Sequence, residues 1–209
     1  MKKDTWGHLL SHKRQELQFE EASIVVEDGV FTPDPQLTYS SSIIIDNFPS
    51  LEGLRVADVG TGTGVVGILA AMKGAKEVIA TDNSDTAVQN AKANVELNHL
   101  TGIVKILKTN LLDEVKGNFD IIFANLPILA SLWKSEGISS ISIVGQFLTA
   151  ARQKLNPKGK IYMAWASFAE DEKQFVEKLF VANGYGFQVM TKNALNTQWF
   201  LYILTVRNR

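Results

Sequence analysis

With 209 residues, 45% of them hydrophobic and 21% charged, the chain can bury the core of one α/β domain, and it lacks the ~20-residue apolar run that a membrane span needs. A formal net charge of −1, from 21 basic and 22 acidic residues, speaks against a broad electrostatic grip on nucleic acid, and the absence of cysteine excludes disulfides and thiolate metal sites. Residues 1–8 carry no secretory pattern, so a cytoplasmic location without membrane association is expected.

Residues 4–20 read as a helix with a patchy stripe of Leu9, Leu10, Leu17 and Phe19. Ile24-Val25-Val26, the turn pair Asp28-Gly29 and Val30-Phe31 then predict a hairpin. Thr32-Pro33-Asp34-Pro35 cannot lie inside a helix, because each proline removes a donor and restricts the residue before it. A second helix is expected over 37–47, before Pro49. These first 50 residues are expected to pack as an extension on a core of residues 51–209, all in one structural domain.

From Leu54 the pattern alternates. A strand over 54–59 precedes a helix with Val65, Ile68, Leu69 and Met72 at i, i+3, i+4 and i+7, stopped by Gly74. The strand from Val78 leads to a helix capped by Ser84 and running to Leu97, and further strands are expected over 103–107 and 119–124. A long helix carrying Val144, Phe147, Leu148, Ala151 and Leu155 ends at Asn156-Pro157-Lys158-Gly159, before a strand over 161–165. Ser167 and Glu170 have capping-box spacing for a helix closed by Gly184, and strands over 186–190 and 199–206 follow with a polar loop between them. Strands alternating with helices imply right-handed crossovers. The expected fold is α/β, a Rossmann-like doubly wound, mostly parallel seven-stranded sheet with an antiparallel C-terminal hairpin strand.

In such sheets, ligands lie beyond the carboxyl ends of the strands, near the point where strand order reverses. Polar residues mark each of those ends. Gly60-Thr61-Gly62-Thr63-Gly64 brings bare backbone N–H groups to a helix N-terminus, and Asp82-Asn83 closes a strand about 20 residues on, the place of a carboxylate that accepts from ribose hydroxyls. Asn110-Leu111 and Asn125-Leu126-Pro127 follow the next two strands. His8 and His12 stand at i, i+4 without a third ligand nearby, so no metal site is expected.

The run Val56-Ala57-Asp58-Val59-Gly60-Thr61-Gly62-Thr63-Gly64 resembles the first motif of the Rossmann-like S-adenosylmethionine-dependent methyltransferases, and Asp82 resembles their ribose acid. Nicotinamide-binding sheets show G-x-G-x-x-G, whereas Val65 stands at the third glycine here. The resemblance implies S-adenosylmethionine as cofactor, held by Asp58, Gly60, Thr61, Gly62, Gly64, Asp82, Asn83, Asn110, Leu111 and Asn125. Asp58 would order the glycine loop and the methionine amino group, and Asn110 stands where many relatives carry an aspartate that accepts from adenine.

Asp120-Ile121-Ile122-Phe123-Ala124-Asn125-Leu126-Pro127-Ile128 resembles the fourth motif of the amino-methyltransferases of RNA and protein glutamine, commonly Asn-Pro-Pro-Tyr or Asn-Leu-Pro-Tyr. That resemblance assigns catalysis to Asn125, Leu126 and Pro127. The Asn125 side-chain oxygen and the Leu126 carbonyl would accept the two N–H groups of the target. Ile128 replaces an aromatic that stacks on a planar acceptor, and Trp133 and Phe31 are further candidates to line its pocket. Phe31-Thr32-Pro33-Asp34-Pro35 is similar to a Phe/Leu-x-Pro-Arg-Pro stretch of release-factor glutamine methyltransferases, with Asp34 in place of the arginine. The expected reaction is methylation of an amino or amide nitrogen in RNA or a protein side chain, with a small-molecule acceptor and the oligomeric state left open. Two rivals stay open at this point: a catalytically silent, cofactor-binding relative serving a partner, and a nicotinamide-dependent oxidoreductase.

Overall fold

Leu17 and Phe19 stand two residues apart, a spacing that shares a face in a strand and not in a helix. In the computed structural model, which describes residues 13–126, 140–167 and 170–207, the expected first helix is accordingly a strand in its described part. β1 (Gln15–Phe19) pairs antiparallel with β2 (Ala22–Val26), from Gln15↔Val26 to Phe19↔Ala22. The chain reverses at Glu20, whose φ is 49°. Asp28-Gly29 does form a turn, closed by the Val30 N–H on the Glu27 carbonyl, yet no strand follows it. Val30 is buried, and Thr32 and Pro33 lead away into the core-facing loop.

Six residues then form α1 (Ser40–Ile45), shorter than expected because Asp34 holds the preceding turn. The Asp34 carbonyl accepts from the Leu37 and Thr38 N–H groups, and its carboxylate from that of Gln36. Beyond it the pattern folds as read: β3 (Arg55–Val59), α2 (Val65–Met72), β4 (Glu77–Asp82), α3 (Asp85–Leu97), β5 (Val104–Lys108) and β6 (Phe119–Ala124). α4 (Ser140–Lys154), β7 (Leu155–Ala166), α5 (Glu170–Ala182), β8 (Tyr185–Ala194) and β9 (Thr197–Val206) complete the chain.

The sheet order is β5-β4-β3-β6-β7-β9-β8, parallel from β5 to β7, with β9 antiparallel to both of its neighbours. The seven-stranded, mostly parallel sheet with its antiparallel C-terminal strand is therefore present. Strand order reverses between β3 and β6, so a crevice opens beyond Val59 and Ala124. Two boundaries differ from expectation. Asn156-Pro157-Lys158-Gly159 lies within β7 as an irregularity, where pairing jumps from Phe119↔Leu155 to Ile121↔Lys160. The last hairpin is longer than read and turns on two residues, Leu195 and Asn196, both at positive φ as a primed turn requires.

Both faces of the central strands are covered, and Val56, Val59, Val78, Ala80, Ile122 and Phe123 are buried. At the amino end of the sheet Arg55 acts as a clamp. Its guanidinium donates to Glu77 Oε2 at 2.6 Å and to the carbonyls of Asn118 and Lys116, and it lies 4.4 Å above the Phe119 ring.

The N-terminal hairpin is fastened to the core by three asparagines four residues apart, Asn90 and Asn94 on one face of α3 and Asn98 at its C-cap. Asn98 exchanges hydrogen bonds with the backbone of Ser23, and Asn94 with that of Val25. Asn90 donates to the Val25 carbonyl and accepts from the Glu27 N–H. The asparagine amides thus take the place of a neighbouring strand along the edge of β2.

Candidate active site

The first strand of the parallel sheet ends in a carboxylate that the fold puts to work. Asp58, 2% exposed, turns under the glycine loop, where its Oδ2 accepts from Thr61 Oγ1 at 2.6 Å and from the Gly67 N–H at 3.0 Å. Gly67 is the third residue of α2, so an anionic group sits against the positive end of that helix. Gly67 also leaves the room: a Cβ there would stand 3.2 Å from Asp58 Oδ2 and 3.3 Å from Val78 Cγ1. Burial nevertheless dominates and pushes the Asp58 carboxyl up to about 6, against the two hydrogen bonds and with a small push from the Asp82 charge.

Gly60, Gly62 and Gly64 have φ of 73°, 55° and 86°, a left-handed run that residues with a Cβ rarely adopt. The Thr81 carbonyl accepts from both the Gly60 and Thr61 N–H groups, which ties the loop to the end of β4. Asp82 fixes its outer edge. One carboxylate oxygen accepts from the Gly62 N–H and the other from the Ser84 N–H, each at 3.0 Å, which leaves each oxygen a lone pair for a ligand hydroxyl. The space beyond Gly62 is open, since a Cβ there would meet nothing within 4 Å.

Across the switch point, Asn125 and Leu126 directly follow β6. A Cβ on Gly60 would stand 3.5 Å from the Asn125 carbonyl and 3.4 Å from Leu126 Cδ2, so the loop and the end of β6 are neighbours. The Asn125 amide donates to Ser40 Oγ at 3.1 Å and to Ser41 Oγ at 3.2 Å. Both serines are buried at the start of α1.

Asp58, Gly60, Thr61, Gly62, Gly64, Asp82, Asn125 and Leu126 therefore converge on one crevice. Asn83 follows Asp82 at its exposed rim. Asn110 and Leu111 sit beyond β5 at the mouth of a groove of about 510 Å³, walled by Asp113 and by Gly145, Gln146 and Thr149 of α4. There the Asn110 amide donates to Asp113 Oδ2, leaving Oδ1 as an acceptor. Phe31 lies half-buried in the loop before α1. Pro127, Ile128 and Trp133, like His8 and His12, lie outside the described residues.

Sequence reasoning missed Ser40 and Ser41. The signal was present, because three serines in a row directly before Ile43-Ile44-Ile45 put hydroxyls on a helix that the core must cover.

The geometry fits a nucleoside with a charged tail: a carboxylate for ribose hydroxyls, bare backbone at a helix N-terminus, and a second, buried carboxylate beneath it. A family model described as "Methyltransferase small domain" matches residues 21–191. Ribosomal protein L11 methyltransferase of Lactobacillus acidophilus is 52% identical over 73 residues, which cover 35% of this chain and 23% of that protein. The namesake of Desulforamulus reducens is 35% identical over 159 residues, 65% of this chain and 50% of that protein. The chain thus spans half or less of the length of these curated relatives.

Among solved structures, ribosomal protein L11 methylase from Lactobacillus delbrueckii subsp. bulgaricus matches with a TM-score of 0.67 and 26% identity, over 88% of this chain and 84% of that one. The T. thermophilus 16S rRNA N2 G1207 methyltransferase, solved with AdoMet and guanosine, gives a TM-score of 0.70 at 18% identity over 93% of this chain and 50% of that one, a likeness of fold.

Proposed function

The chain belongs to the methyltransferase small domain family, a family of S-adenosylmethionine-dependent enzymes, and from that premise we propose that it methylates an amino or amide nitrogen of RNA or of a protein. The observation that carries this reading is Asn125. It directly follows β6 beside the glycine loop, with both amide hydrogens turned to α1. An amide held so presents its oxygen, an acceptor suited to a target N–H group.

The cofactor supplies an electrophilic methyl on a sulfonium. Around it, the two Asp82 oxygens would accept from ribose hydroxyls, the loop would offer its backbone, and Asp58 would stand near the cationic methionine end. Asn110 Oδ1 would accept from the adenine amine. Asn125 Oδ1 and the Leu126 carbonyl would accept the two N–H groups of the target and so orient its nitrogen lone pair. No side chain has to act as a covalent nucleophile, and rate enhancement comes from alignment and from acceptors already in place. Names among the relatives support the acceptor class: ribosomal protein in one group and ribosomal RNA in another.

The test is transfer of labelled methyl from S-adenosylmethionine into RNA, protein and metabolite fractions of cells lacking this protein. Label on nitrogen in the RNA or protein fraction supports the proposal. Cofactor binding without label in any fraction would instead favour a silent relative that serves a partner.

A further inference from the structure

Resting on the reading of Asn125 above, we propose that Ser40 and Ser41 are positioning residues that lock the Asn125 amide in one of its two flip states, with Oδ1 presented to the transfer position. An asparagine side chain rotates about a broad, roughly two-fold terminal torsion, and a half turn exchanges its oxygen for its NH₂. The flipped form would offer two donors to a target that is itself a donor, so it opposes catalysis. Two hydroxyl oxygens, 3.1 and 3.2 Å from Nδ2, match the two amide hydrogens one to one. Ser40 is further held in place by Thr38. Thr38 Oγ1 accepts from the Ser40 N–H and donates to Ser40 Oγ at 3.2 Å.

Thr38, Ser40 and Ser41 are all buried, and Asn125 is half-buried above them. Among the described residues no donor is bonded to Asn125 Oδ1, which leaves that oxygen to the target. The cluster lies on α1, outside the parallel sheet that carries the other site residues. The extension ahead of the sheet therefore sets the polarity of a group at the end of β6.

The test needs no identified acceptor. Sinefungin is an S-adenosylmethionine analogue in which an amine stands where the methyl would be, so its N–H groups report an acceptor at that place; S-adenosylhomocysteine has nothing there. Calorimetry gives the ratio of the two affinities for wild type, Asn125→Ala, the double variant Ser40→Ala/Ser41→Ala, and the hydroxyl-keeping Ser40→Thr and Ser41→Thr. The expected result is a loss of about tenfold in that ratio for Asn125→Ala and for the serine double variant. S-adenosylhomocysteine affinity is expected to stay within about twofold, and the threonine variants to keep the wild-type ratio.

If Asn125→Ala loses the preference while the serine double variant keeps it, the locking role is wrong and the reading of Asn125 stands. If Asn125→Ala keeps it, the reading of Asn125 itself fails. Loss in the threonine variants as well would contradict a role for the hydroxyls. The single variants Ser40→Ala and Ser41→Ala, each removing one acceptor, decide the matter should the double variant not fold.

Discussion

At the residue scale the site divides its carboxylates by environment. Asp82 is half-buried, with a free lone pair on each oxygen, whereas Asp58 is sealed beneath the loop. Asp82→Ala is expected to weaken S-adenosylmethionine binding by about tenfold to a hundredfold in a calorimetric titration, the worth of one or two charge-assisted hydrogen bonds. Asp58 behaves differently because burial raises its pKa to about 6. The folded value lies above the unfolded one of ~4, so the favourable contribution of this group is complete below pH ~4 and is lost as pH rises through about 6. Near neutrality the buried anion costs the ligand-free protein on the order of 2–3 kcal/mol, a cost that a cationic ligand end beside it offsets. Asp58→Asn should therefore raise the thermal midpoint of the ligand-free protein at pH ~7.5, raise it clearly less at pH ~4.5, and weaken cofactor binding. A midpoint difference independent of pH would contradict this.

At the element scale the asparagine face of α3 joins hairpin to core. Asn94 is fully buried and reaches two places at once, Val25 of β2 and the Thr63 carbonyl of the glycine loop. Asn94→Ala leaves the Val25 N–H and the Thr63 carbonyl without these partners. It is expected to cost about 2–3 kcal/mol in chemical denaturation and to loosen cofactor binding, whereas Asn98→Ala, nearer solvent, should cost about 1 kcal/mol or less. The elements from β3 onward were legible because each apolar run and each stripe at helical spacing agreed with a punctuating Gly, Pro or Ser. The extension was not. Leu17 and Phe19 stand two apart, a spacing of strand rather than helix, and Asp28-Gly29 is a true turn without a hairpin around it. Asn90, Asn94 and Asn98 repeat every four residues, a spacing that could have marked a polar helix face, but only the fold shows the edge of β2 lying along it. In the candidate site, the nearness of Asp58, the glycines, Asp82 and Asn125 was legible because in an open α/β sheet the carboxyl ends of the strands and the loops that follow them lie together. Ser40 and Ser41 act across 85 and 84 residues of sequence, a reach that no local pattern records.

At the scale of the whole molecule, the reversal of strand order between β3 and β6 makes the site. It brings the glycine loop, the buried Asp58 and the end of β6 to one crevice, while α1 closes on Asn125 from outside the sheet. Among the described residues no helix is long and apolar enough to cross a membrane. The central claim is that this crevice separates the work of holding the cofactor from the work of aiming a nitrogen at it. It is tested most directly by Asn125→Ala, measured for S-adenosylmethionine affinity and for single-turnover methyl transfer into the accepting fraction. The prediction is affinity within about twofold of wild type and transfer slowed by about a hundredfold or more. Transfer at the wild-type rate would contradict it.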